Sequence, residues 1–211
     1  MSAMRKIISK VAFELIVITL GVLVALGINA WYNTYQQRQQ AEVLLGKIAY
    51  ELTQNIERLE SAASAYNDNI IKSQRYVAEL EETGESPRFE FVLKMLNVDQ
   101  GAWRFSQSRE ELNTLPVELL IALDLANRSN TEAKHMVNTF IFEGHDDLSE
   151  FSDSDLNERY LDGVEREFKQ IKFYVDYALM SSQQALSRLK EYRATGKLVA
   201  RKENVTLSTE L

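Results

Sequence analysis

Apolar positions along this chain follow three regimes. The first is a continuous run. Residues 11–30 read VAFELIVITLGVLVALGINA and contain a single charge, Glu14. An α-helix needs about 20 such residues to cross a hydrocarbon core of about 30 Å. The second regime is a stripe at steps of three and four, with one missed turn between Ile70 and Val77: Leu45, Ile48, Leu52, Ile56, Leu59, Ala63, Tyr66, Ile70, Val77 and Leu80. It predicts an amphipathic helix to about Glu82, with a four–four step that breaks a strict heptad. The third is a strict three–four alternation from Leu161 through Val164, Phe168, Ile171, Val175, Ala178, Ser182, Ala185 and Leu189 to Tyr192. That is a heptad seam, widened by Tyr160, Tyr174, Leu179 and Leu186, which favours a bundle over a two-stranded coil.

Between the two long helices the pattern is shorter-ranged. The run TGESP at 83–87 is the clearest break, with Ser86 placed to cap a helix and Pro87 to open it. The spacing predicts a short helix over 88–97; a strand at FEFV (89–92) is the alternative, with no second strand evident to pair with it. A loop carrying Trp103 and Phe105 follows. Ser108 and Glu111 form an S-x-x-E capping box. Pro116 opens a densely apolar helix to about Asn127, residues 127–131 read as a turn, and a further helix ends near Gly144. Gly196 ends the last helix, and residues 197–211 read as a tail.

The expected class is therefore all-α: an N-terminal transmembrane helix followed by an antiparallel helical bundle with two long helices and several short ones. The expected division is 1–10 as a cytoplasmic N-terminus, 11–31 as the span, 32–196 as the exterior bundle and 197–211 as the tail. Kinks are conceivable near Asn33 or Gly46.

The flanks of the span set its orientation. Arg5, Lys6 and Lys10 precede it, and Trp31, Tyr32 and Tyr35 follow it. Basic residues favour the cytoplasmic side, and Trp and Tyr favour the membrane interface. A cleaved signal peptide is the competing reading. The apolar run is longer than a signal core, it contains a charge, and Ile28 is a poor small residue for a cut after Ala30. The span also has a distinctive side. Glu14, Gly21, Ala25 and Asn29 share one helix face, and Gly21 with Ala25 forms a small-xxx-small pair. Hydrocarbon satisfies neither a carboxyl nor an amide, so this face is expected to dock on another membrane helix. The plainer alternative is that Glu14 snorkels towards Lys10 and that Asn29 reaches interfacial water.

Composition narrows the classes. The chain has 211 residues and a net charge of −7. Residues 1–31 hold Arg5, Lys6, Lys10 and Glu14, which leaves 21 basic and 30 acidic residues beyond them, a net −9. An acidic exterior argues against nucleic acid as a partner. There is no cysteine, so disulfides and thiolate metal sites are excluded. Two prolines and eight glycines fit long uninterrupted helices.

Candidate chemistry is sparse. His145 lies among Glu143, Asp146, Asp147 and Glu150, but on a glycine-bearing loop, where a solvated acidic turn is the better reading. Asp153, Asp155 and Asn157 imitate the start of a calcium loop. Its sixth position is Glu158 and its twelfth Val164, so the pattern fails. No G-x-S-x-G, phosphate-binding glycine loop or H-E-x-x-H occurs. Trp103, Arg104 and Phe105 could line a pocket, although such aromatics more often fill a core. No cofactor, metal site or catalytic set is expected.

The segment FELIVITLGVLVALGINAWYN resembles the N-terminus of uncharacterised bacterial single-pass inner-membrane proteins. These combine a glutamate, an apolar run with G-V-L-V-A-L-G, an asparagine and a tryptophan. The matching positions are Glu14, Gly21–Gly27, Asn29 and Trp31. A weaker similarity runs through GAWRFSQSREELNTLPVELLIALDLA. The resemblance implies a bacterial inner-membrane anchor with a helical periplasmic domain, and no catalytic residues. The expected role is an interaction protein, with another integral membrane protein or a second copy as partner beside the lipid bilayer. A periplasmic ligand-sensing helical module is the alternative. Ten cytoplasmic residues offer little output domain, so any signal would pass through a partner.

Overall fold

The structure, a computed structural model, describes the backbone of residues 2–84, 90–109, 112, 115–143 and 154–196. It describes their side chains except those of 2–12, 14, 143 and 154–159. Among the described residues there are four α-helices: α1 (Ser2–Thr83), α2 (Gly101–Ser106), α3 (Val117–Glu143) and α4 (Ser154–Thr195). No strand occurs among the described residues, in keeping with the all-α class. Contacts separate the chain into two units, Met1–Val43 and Leu44–Leu211. Residues Asn33 and Gly46 are both helical. The metal-like cluster around His145, the Ser86–Pro87 cap and the 197–211 tail lie outside the described residues.

The first unit is helical, and every described side chain from Phe13 to Gln40 is exposed. Its apolar stretch has a mean hydropathy of 2.1 over an 18-residue window, which makes it a candidate membrane span.

The second unit is a bundle built on three heptad seams. On α1 the seam is Leu45, Ile48, Leu52, Asn55, Leu59, Ala62, Tyr66, Asn69 and Ser73, with Ala41 and Leu44 buried beside its start. The seam residues alternate strictly by three and four. The sequence stripe with its four–four step is thereby corrected: Ile56, Ala63 and Ile70 flank the seam, and two asparagines sit on it. On α3 the seam is Leu119, Leu123, Ala126, Asn130, Ala133 and Val137. On α4 the expected residues from Leu161 to Leu189 are buried. Gln74 donates to Glu165 at 2.7 Å and Gln183 to Glu60 at 3.5 Å, so α4 runs antiparallel to this part of α1. Lys169, together with Gln74, holds the Glu165 carboxyl below its ordinary range. Asn130 meets Ser182, and Arg188 donates to the Glu118 carbonyl, so α3 is antiparallel to α4 as well.

The core has two apolar ends. One gathers Leu45, Ile48, Leu52, Trp103, Leu119, Leu123 and Leu189. The other centres on Phe168, whose ring lies 5.0, 5.5 and 6.1 Å from those of Phe91, Phe140 and Tyr66. Glycines terminate two helices in the left-handed region. Gly84 (φ 70°) donates to Leu80 O, and Gly196 (φ 67°) donates to Tyr192 O.

Three expectations for the middle of the chain are overturned. Residues 90–100 are extended and not helical. Phe91 and Leu93 are partly buried, Leu96 and Val98 fully, and all pack on the Phe168 cluster. This alternating inward set competes with helix formation and wins. Residues 101–106 form α2 where a loop was expected. Glu51 of α1 supplies its N-terminal cap, accepting from Ala102 N at 2.6 Å and Trp103 N at 3.4 Å. Residues 127–131 are not a turn, because α3 passes through them unbroken. Ser129 and Thr131 turn their hydroxyls onto the helix's own carbonyls at Ala126 and Asn127, so they do not break it. Ser108 donates its hydroxyl to Phe105 O behind α2, and Glu111, the other half of the expected capping box, lies outside the described residues.

Candidate functional site

Three features stand out: an exposed apolar stretch of helix that is a candidate span, a polar layer inside the bundle, and apolar side chains on its solvent face. In the span, Gly21, Ala25 and Asn29 recur every four residues along unbroken helix, which keeps them on one side. All three are exposed, and a Cβ on Gly21 would meet nothing within 4 Å. Glu14, Arg5, Lys6 and Lys10 are helical, but their side chains lie outside the described set. Thr19 donates its hydroxyl to Leu15 O at 2.8 Å, which satisfies a polar group without water. Beyond the apolar run, Trp31 stacks on Tyr35 with centroids 6.0 Å apart. Gln36 and Gln39 donate to the hydroxyls of Tyr32 and Tyr35. These aromatics form a compact collar one turn long, with Trp31 68% exposed and Tyr32 50%.

The polar layer separates the two apolar ends of the core. Each long helix contributes from its seam: Asn55 from α1, Asn130 from α3 and Ser182 from α4, all buried. Ser182 donates to Asn130 Oδ1 at 3.1 Å. Asn55 pairs with the backbone of Asp99. Gln100 reaches Asn127 O and the Thr131 hydroxyl on α3. Trp103 is buried core, not the wall of an open pocket, whereas Phe105 is exposed with the Arg109 guanidinium 4.5 Å above its ring. A polar seam residue costs stability but rejects alternative registers, because a slipped helix would bury its amide against apolar neighbours.

On α4 the face opposite the seam carries Phe173, Tyr177 and Met180, exposed by 66, 40 and 56%. Their i, i+4, i+7 spacing lines up one apolar stripe. On α3, Val117, Ile121 and Leu125 do the same over two turns. The sequence reading passed over these stripes because a wide apolar face around a long helix looks like deeper core. It also passed over Asn55 and Asn69. Their signal was available: each continues the three–four rhythm of its apolar neighbours.

No group of three His, Asp or Glu residues comes together to hold a metal ion among the described residues. No family model, curated protein or solved structure matches the chain.

Proposed function

We propose that this chain is a membrane-anchored interaction protein, an accessory or structural subunit of a larger membrane complex. The span, with Arg5, Lys6 and Lys10 inside and Trp31 and Tyr32 at the outer interface, anchors it in a bacterial inner membrane. The bundle then lies in the periplasm, where it braces the partner. The observation that supports this reading is the span itself: an apolar helix whose every described side chain is exposed and whose one small-residue face is flanked by Asn29. The resemblance to bacterial single-pass proteins through Glu14, Gly21–Gly27, Asn29 and Trp31 agrees with it. The exposed Phe173, Tyr177 and Met180 offer the bundle a second contact.

The test is extraction from native membranes in mild detergent, followed by native mass measurement and identification of stoichiometric companions. A foreign integral membrane protein is expected, and Gly21→Leu with Ala25→Leu should release it while the bundle's unfolding midpoint stays unchanged. A clean monomer or homodimer, or retention by the double variant, would sink the proposal.

A further inference from the structure

Two polar atoms in the middle of the bundle meet no protein partner, and they are complementary. Trp103 Nε1–H is a donor and Asn127 Oδ1 an acceptor, both sealed from solvent and not bonded to each other. Their residues line the same cavity, together with Glu51, Asn55 and Asn130. The space in it for the centre of a water-sized sphere is about 10 Å³. That is close to the smallest volume that admits one water, and too little for any larger ligand.

An orphaned buried donor or acceptor is a costly defect, and the cost is avoided when a water mediates. A water beside these atoms can accept from the indole and donate to the amide oxygen, so its polarity matches both. Glu51, whose carboxylate caps α2, lines the same cavity and is a further acceptor by its chemistry. An apolar cavity of this size would stay dry, whereas this one has the two to four polar partners that a buried water needs.

We propose that one water is bound here as a constituent of the fold, accepting from Trp103 Nε1–H and donating to Asn127 Oδ1. It ties α2 to α3 beside Asn55, and it accounts for tryptophan at a position where phenylalanine would fill the apolar space without a polar atom.

The test uses the full chain in detergent with Trp31→Phe, so that the indole nitrogen signal belongs to Trp103 alone. Cross-relaxation between that indole proton and water is measured. A cross-peak with the sign of a long-lived bound water is expected, and its loss in Asn127→Leu. Absence of the cross-peak in the parent chain, or an undiminished peak in Asn127→Leu, would overturn the proposal. Should Asn127→Leu fail to fold, a high-resolution structure of the unsubstituted full chain decides. A density peak within about 3.2 Å of both atoms supports the bridge. A direct indole–amide contact, or no peak, rejects it.

Discussion

The side-chain amide of Asn55 makes both hydrogen bonds that a neighbouring strand would make to Asp99. Nδ2 donates to Asp99 O at 2.6 Å, and Asp99 N donates to Oδ1 at 2.8 Å. Asn69 does the same to Val92, at 2.9 and 3.0 Å. Between them Tyr66 donates to Lys94 O, Arg58 to Asn97 O and, beyond, Lys72 to Glu90 O. The extended segment thus runs antiparallel to α1, with a helix face in place of a second strand. The geometry closes on magnitudes: from Asn55 to Asn69 the helix rises about 21 Å, and from Val92 to Asp99 extended chain covers about 23 Å. The inward positions shift from Phe91 and Leu93 to Leu96 and Val98, which places a one-residue slip at exposed Met95 and absorbs the difference.

Replacing Asn55 with alanine leaves the Asp99 amide and carbonyl without their partner. Stability is expected to fall by about 1–3 kcal/mol. Asn55→Asp keeps the acceptor and loses the donor, so it should also destabilise. Denaturant unfolding of the detergent-solubilised chain measures both. A loss within error for Asn55→Ala would show that the segment does not depend on this pairing.

Ser182→Ala removes the donor to buried Asn130 Oδ1 and should cost about 1–3 kcal/mol. Replacing both partners removes the orphan, so Ser182→Ala with Asn130→Leu should cost less than the sum of the single changes. A double-mutant cycle reads the coupling directly. Additive losses would mean that the two side chains act independently.

Burial raises the Tyr66 hydroxyl from its ordinary value to about 12. In the unfolded chain it ionises near 10, so above that pH the unfolded state gains what the folded state resists. The contribution is complete below pH 10 and is lost as pH climbs towards 12, by about 2–3 kcal/mol. Tyr66→Phe should flatten that part of the profile, measured as unfolding free energy between pH 9 and 12. Parallel profiles for the two chains would contradict the assignment.

The regular parts of this fold were legible because their signal repeats. The seam from Leu161 to Leu189 appears in the bundle as read, and the apolar run of α1 is one unbroken helix, long and apolar enough to be a candidate span. At FEFV extended chain was legible but lacked a visible partner, since its hydrogen-bond partners are side chains some twenty to forty residues away and not a second strand. The polar run 127–131 carries turn-forming residues, and helix persists there because Ser129 and Thr131 bond the helix's own carbonyls while Asn130 packs on Ser182. The span's candidate face at Gly21, Ala25 and Asn29 was visible as spacing, and one chain alone adds no neighbour to it.

The dependence of residues 90–99 on α1 distributes tolerance to substitution unequally between the two segments. α1 addresses the backbone of Glu90, Val92, Lys94, Asn97 and Asp99, while the side chains of these five are exposed. Their identity is therefore loosely held, since the Asp99–Arg58 and Lys94–Ser61 contacts lie at the surface where such pairs contribute little. Proline is the firm exception, with no N–H to offer at Glu90, Val92 or Asp99. Asn55 and Asn69 have no such latitude, because glutamine would push the amide one carbon too far and aspartate cannot donate. Variation in a saturation library should thus pass through the irregular segment and stop at the regular helix, the reverse of what loop and helix ordinarily permit.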